Sequence, residues 1–146
     1  MAILLLNYRF DESFFDKELD RDDFGRLSLK FETENFTGSG GYWVQWQDVV
    51  EFGERLGAYP ISDGPPVIAQ WGYEMQQGDD VIIRIAVSPK NKNGNLLVSV
   101  VIADDHDQSQ RLYGSFVTDY AAIESFRLDI ARLMVDGVHE AVLYGQ

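Results

Sequence analysis

The sequence predicts an α+β fold, a mainly antiparallel β-sheet with two amphipathic helices packed on it. Three observations lead there. Most of the chain reads as short runs of alternating or β-branched residues separated by turn residues, which is strand chemistry. Only two stretches carry apolar residues at helical spacing. Strands and helices do not alternate one by one, so no βαβ units arise and the sheet has no reason to be parallel. At 146 residues, 45% apolar and 13% aromatic, the chain is expected to form a single domain, residues 1–146, with a real core.

Taken in order, Ala2 to Tyr8 reads as a first strand. Asp11 to Asp23 is dense in acids with Phe14, Phe15 and Leu19 among them, compatible with a helical turn or a pinned loop. From Arg26 to Glu34 the side chains alternate: Leu27, Leu29 and Phe31 to one face, Ser28, Lys30 and Glu32 to the other. Gly38, Gly40 and Gly41 then suggest a sharp reversal, since glycine tolerates positive φ. Tyr42, Val44 and Trp46 share one face of the extended segment that follows, and Trp43 and Gln45 share the other.

The first helix is expected over Gln47–Leu56. Asp48 suits its first turn, where the helix dipole favours a carboxylate. Val49, Phe52 and Leu56 form its buried stripe, and Gly57 and Pro60 end it. Val67 to Glu74 is the next strand, with Gln77-Gly78-Asp79 as a hairpin turn into Val81 to Val87. Asn93-Gly94 is a strong tight-turn signal. Leu96 to Ala103, apolar almost throughout, is expected mid-sheet and buried on both faces. A polar loop, Asp104 to Asp107, leads to a strand over Leu112 to Val117. Thr118 or Asp119 can cap the second helix, expected over Asp119–Val135, with Ile123, Phe126, Ile130 and Leu133 as its stripe and Gly137 at its end. Val138 to Tyr144 reads as a short last strand.

Composition restricts function. There are no cysteines, which removes disulfides, thiolate nucleophiles and cysteine-ligated zinc. The net charge is −12, from 24 acidic and 12 basic side chains. This argues against nucleic acid and against anionic membranes, both of which are bound through Lys and Arg. Such a surface would speed capture of a basic protein partner, but on charge alone acidity for solubility outweighs that reading. The apolar start lacks the basic residues and cleavage site of a signal peptide and is too short to span a bilayer, so a cytoplasmic location is expected.

No catalytic residue and no cofactor is nominated. Neither GxGxxG nor GxxxxGK[ST] occurs near the glycines, and no serine sits in a G-x-S-x-G elbow. His106 among Asp104, Asp105 and Asp107 has metal-ligand chemistry, but it lacks the spacing of a calcium loop or a paired-histidine site, so a solvated hairpin tip is expected and no metal is assigned. His139 follows a helix end, where a structural role is the ordinary one.

Aromatics remain. Trp43, Trp46, Trp71 and Tyr73 can be core or can line a groove or interface. Trp43, on the face opposite Tyr42 and Trp46, is the one expected at a surface. The candidate partner-binding residues are therefore Trp43 and the two densest acidic clusters, Asp20, Asp22 and Asp23, and Asp104, Asp105 and Asp107.

The strand Leu27-Ser28-Leu29-Lys30-Phe31, the glycines Gly38 to Gly41, Trp43-Val44 leading to Asp48, and the helix end Phe52 to Leu56 together resemble the WapI-type bacterial immunity proteins and related bacterial families. The resemblance covers about Arg26 to Leu56 and rests on pattern, with no catalytic signature. It implies a protein that binds and neutralises a toxin made by the same cell. Two functions are thus expected in order: a non-enzymatic acidic binding protein for a basic partner, and, as the alternative, a small-ligand protein or enzyme with an aromatic-lined pocket.

Overall fold

The computed structural model describes residues 1–10, 24–61, 64–73, 78–135 and 138–146. The chain first lays down three antiparallel strands, β1 (Ile3–Phe10), β2 (Phe24–Glu32) and β3 (Thr37–Gln45), and then helix α1 (Trp46–Arg55). A four-strand meander follows, β4 (Val67–Gly72), β5 (Val81–Pro89), β6 (Asn95–Ala103) and β7 (Arg111–Asp119), then helix α2 (Tyr120–Leu133) and a short strand β8 (Ala141–Tyr144). The fold is α+β and antiparallel throughout the described ladders.

The strands make two sheets rather than one. The first has the order β3-β2-β1-β8 and the second β4-β5-β6-β7. Each helix carries the chain from one sheet to the other: α1 takes it across, and α2 brings it back to place β8 beside β1. Leu4, Leu6, Leu27, Leu29 and Phe31 on the first sheet share a core with Ile83, Ile85, Val98, Val100 and Ile102 on the second. This is the period-2 alternation of β2 made physical, since its odd-numbered residues enter the core and Ser28 and Lys30 do not.

Both helices bury the expected stripes. Val49, Phe52 and Leu56 are closed off from solvent, as are Ile123, Phe126, Ile130 and Leu133. Asp119 caps α2 by accepting from the Ala122 amide at 2.8 Å. Thr118, the other candidate, turns inward instead, and its hydroxyl donates to the Tyr144 carbonyl at 2.8 Å. The helices touch at Gly53, where a Cβ would stand 3.0 Å from Ile130 Cγ2.

Several expectations need correction. Gly38, Gly40 and Gly41 make no reversal. They lie inside β3, paired with β2, and positive φ occurs only at Gly78 and Gly94 among the described glycines. Their small size serves packing: a Cβ on Gly38 would meet Leu112 Cδ1 at 2.6 Å, and one on Gly40 would meet Ile102 Cγ2 at 2.7 Å. Gly57 has no left-handed cap geometry either. Trp46 is the first residue of α1 rather than a strand residue. Strand β6 is interior to its sheet but buried on one face only, because among the described residues no helix covers the outer side of Leu97, Ser99 and Val101. Strand β5 is the more enclosed of the two. The expected stop at Gly137 lies outside the described residues, as does the Asp11 to Asp23 segment.

Candidate functional site

The site grows from the direct passage of β3 into α1. Tyr42 and Val44 point inward at the end of the strand, Trp43 points outward, and Asp48 falls in the first helical turn. Strand β4 runs beside α1 and places Trp71 next to Asp48, with the indole Nε1 donating to Asp48 Oδ2 across a long 3.4 Å. Tyr73, just beyond β4, sets its ring edge-on to Tyr42, with centroids 5.7 Å apart and planes at 77°. Its hydroxyl donates to the backbone carbonyl of Asp105 at 2.6 Å and so ties β4 to the β6–β7 loop.

Arg26 closes the arrangement. On β2 it is the direct cross-strand neighbour of Trp43, and its guanidinium lies 5.9 Å from the centre of that ring. It donates from Nη1 to Asp105 Oδ2 at 2.9 Å and from Nη2 to Oδ1 at 3.5 Å. Gly41 makes room, since a Cβ there would stand 2.9 Å from Arg26 Nε. Between these parts lies an open cleft of about 540 Å³. Tyr42, Trp43, Trp71, Tyr73 and Phe24 form its aromatic walls, and Asp48, Asp105 and His106 are its ionisable groups.

The electrostatics follow the contacts. Hydrogen bonding to Arg26, aided by its charge, holds the Asp105 carboxyl below the usual carboxylate range. Burial, with Tyr73 and Asp105 nearby, pushes the Tyr42 phenol up, and the ring serves as a wall of the cleft.

Of the candidate residues, Trp43 is 48% exposed at the cleft's rim. Asp105 meets it through Arg26, although Asp105 itself is tucked in, with its side chain 14% exposed. Asp104 and Asp107 are exposed on the same loop, and both are turn-formers: Asp104 Oδ1 accepts from the His106 amide at 2.8 Å, and Asp107 Oδ1 accepts from the Ser109 amide at 3.1 Å and its hydroxyl at 2.6 Å. The bonds from Ser109 also hold the Asp107 carboxyl below its ordinary range. All three carboxylates thus accept hydrogen bonds; at Asp104 and Asp107 an Asn would keep the accepting Oδ1 and remove only the charge, whereas Asp105 also pairs with Arg26. Asp20, Asp22 and Asp23 lie outside the described residues.

Sequence reasoning missed Arg26, Tyr42 and Phe24 as site residues and gave Asp48 only a helical role. The one local hint was Asp48, an acid two residues beyond Trp46. Arg26 becomes visible only through the register that sets it opposite Trp43. Among the described residues no three His, Asp or Glu side chains come together to hold a metal ion, and no hydrogen bond joins a histidine ring to a serine. Compared with known protein families and with curated proteins, the chain matches none.

Proposed function

We propose that this is a non-enzymatic, immunity-like binding protein of the cytoplasm, whose acidic surface engages and neutralises a basic protein partner such as a toxin. The observation that carries this reading is the junction of Trp43, through Arg26 and Asp105, with the loop that bears the exposed carboxylates of Asp104 and Asp107. Buried aromatic anchors within a charged rim are the usual anatomy of a protein-binding surface. The net charge of −12 and the resemblance to WapI-type immunity proteins support the same reading. Among the described residues no helix is long and apolar enough to cross a membrane.

The test is capture of a partner from the native cell at low and at high salt, followed by association kinetics. Steering by exposed charges acts over about 8 Å at physiological ionic strength, so the on-rate should fall steeply as salt rises. Asp20, Asp22 and Asp23 changed to Asn should slow association further, as should Asp104→Asn with Asp107→Asn, while dissociation changes little. Binding indifferent to salt and to these changes would show that the acidity serves solubility alone. The aromatic walls favour a second reading, a small molecule held in the cleft. A metabolite copurifying at the cleft, with no protein captured, would favour it.

A further inference from the structure

Arg26 displays how this cleft treats a guanidinium. The group lies over the Trp43 ring and forks onto both oxygens of Asp105. A planar guanidinium is matched to both tasks, stacking on an aromatic face and donating twice to one carboxylate, whereas a lysine ammonium is a compact point charge. The same cleft brings a second tryptophan and carboxylate together, Trp71 with Asp48, here in direct contact.

Among the described residues this second pair holds no cation. Asp48 makes no ion pair with any described residue. Its carboxylate has about four lone-pair positions, and the long bond from the Trp71 indole uses one. Asp48 is also fixed in place, because it belongs to the first turn of α1 and lies between the end of β3 and β4. Both Asp48 and Trp71 are half-buried, so a guanidinium lying against the Trp71 ring and donating to the remaining lone pairs of Asp48 would be partly shielded from water, where its attraction to ring and carboxylate is stronger than at a bare surface.

We propose that Trp71 and Asp48 seat one arginine side chain of the basic partner, as Trp43 and Asp105 hold Arg26. The inference rests on the partner reading above and adds which side chain enters and where it lodges. Complementary charge argues for a partner's arginine: the chain carries −12, and the cleft is lined by the exposed Trp43 and by Asp105 and His106 of the loop that also bears the exposed Asp104 and Asp107. An arginine entering there brings the surrounding basic surface against that loop.

The experiment uses the full chain and N-acetyl-arginine amide as probe, with N-acetyl-citrulline amide as its neutral isostere and N-acetyl-lysine amide as the point-charge control. The readouts are tryptophan fluorescence and the indole N–H resonance of Trp71, assigned with Trp71→Phe. The arginine probe should shift the Trp71 resonance saturably, and citrulline should bind about tenfold more weakly or worse, as loss of a charge-assisted bond implies. Asp48→Asn should weaken the arginine probe by a similar factor, while Glu34→Gln, an exposed acid remote from the cleft, should not. Equal binding of citrulline, or no shift at Trp71, overturns the proposal, and this wild-type comparison stands even if Asp48→Asn folds poorly. A captured partner that binds Asp48→Asn as tightly as wild type overturns the arginine seat and leaves the partner reading intact. Specific arginine binding at Trp71 with no captured partner does the reverse.

Discussion

Asp105 illustrates how much one side chain can be asked to do. Its carboxylate anchors Arg26, its backbone carbonyl receives Tyr73, and through Arg26 it orients Trp43. Asp105→Asn should therefore destabilise the fold by about 1–2 kcal/mol at neutral pH, the range for a lost charge-assisted bond that is partly solvated. The folded-state pKa of Asp105 is lowered relative to an unfolded value of about 3.9. Its contribution is thus present above pH ~4 and disappears as pH falls through the folded value. Urea midpoints of wild type and Asp105→Asn should differ at pH 7, and the gap should narrow as pH falls below about 4; a constant gap would mean that the carboxylate's charge is irrelevant. The sequence marked Asp105 and Trp43 separately. Their connection was not legible, because Arg26 links them only once β2 and β3 are in register and the β6–β7 loop folds past the edge of β3.

At the scale of elements, what the sequence revealed was periodicity. The alternation of Leu27, Leu29 and Phe31, and the stripes Val49-Phe52-Leu56 and Ile123-Phe126-Ile130, needed only the geometry of strand and helix to become buried faces. The glycines of β3 were misread because a turn glycine and a packing glycine are the same letter. The difference lies in Ile102 and Leu112 on the facing sheet, which local reading does not see. Gly40→Ala should accordingly cost about 1–3 kcal/mol, since the Ile102 methyl stands 2.7 Å from the added carbon and the Ala103 carbonyl oxygen 3.2 Å. A denaturation midpoint unchanged by this substitution would mean that the sheets can part freely there. Asp119→Ala, removing the cap of α2, should cost about 1 kcal/mol by the same measurement.

For the whole molecule, the decisive feature is that the chain crosses between sheets only at α1 and α2 within the described fold. That the strands divide into two sheets was not legible, because hairpin signals fix neighbours and not which layer a strand joins. The layers are bridged where β8 ends: Thr118 on the second sheet donates to the Tyr144 carbonyl on the first, and the Gln146 amide donates to the Val117 carbonyl at 2.8 Å. Thr118→Val, which keeps the shape and deletes the buried hydroxyl, should lower stability by about 1–3 kcal/mol because the Tyr144 carbonyl loses its donor. A loss near zero in urea unfolding would show that this bridge contributes only geometry. The position of β8 has a temporal consequence. The meander from β4 to β7 joins strands adjacent in sequence and can assemble as soon as it is synthesised, but β1 must wait for β8 before its outer edge is paired. Until then a nascent chain carries an open strand edge with Leu4 and Leu6 behind it, a template for association with another copy. Shielding of that edge by a chaperone matters most in the interval before the last strand docks.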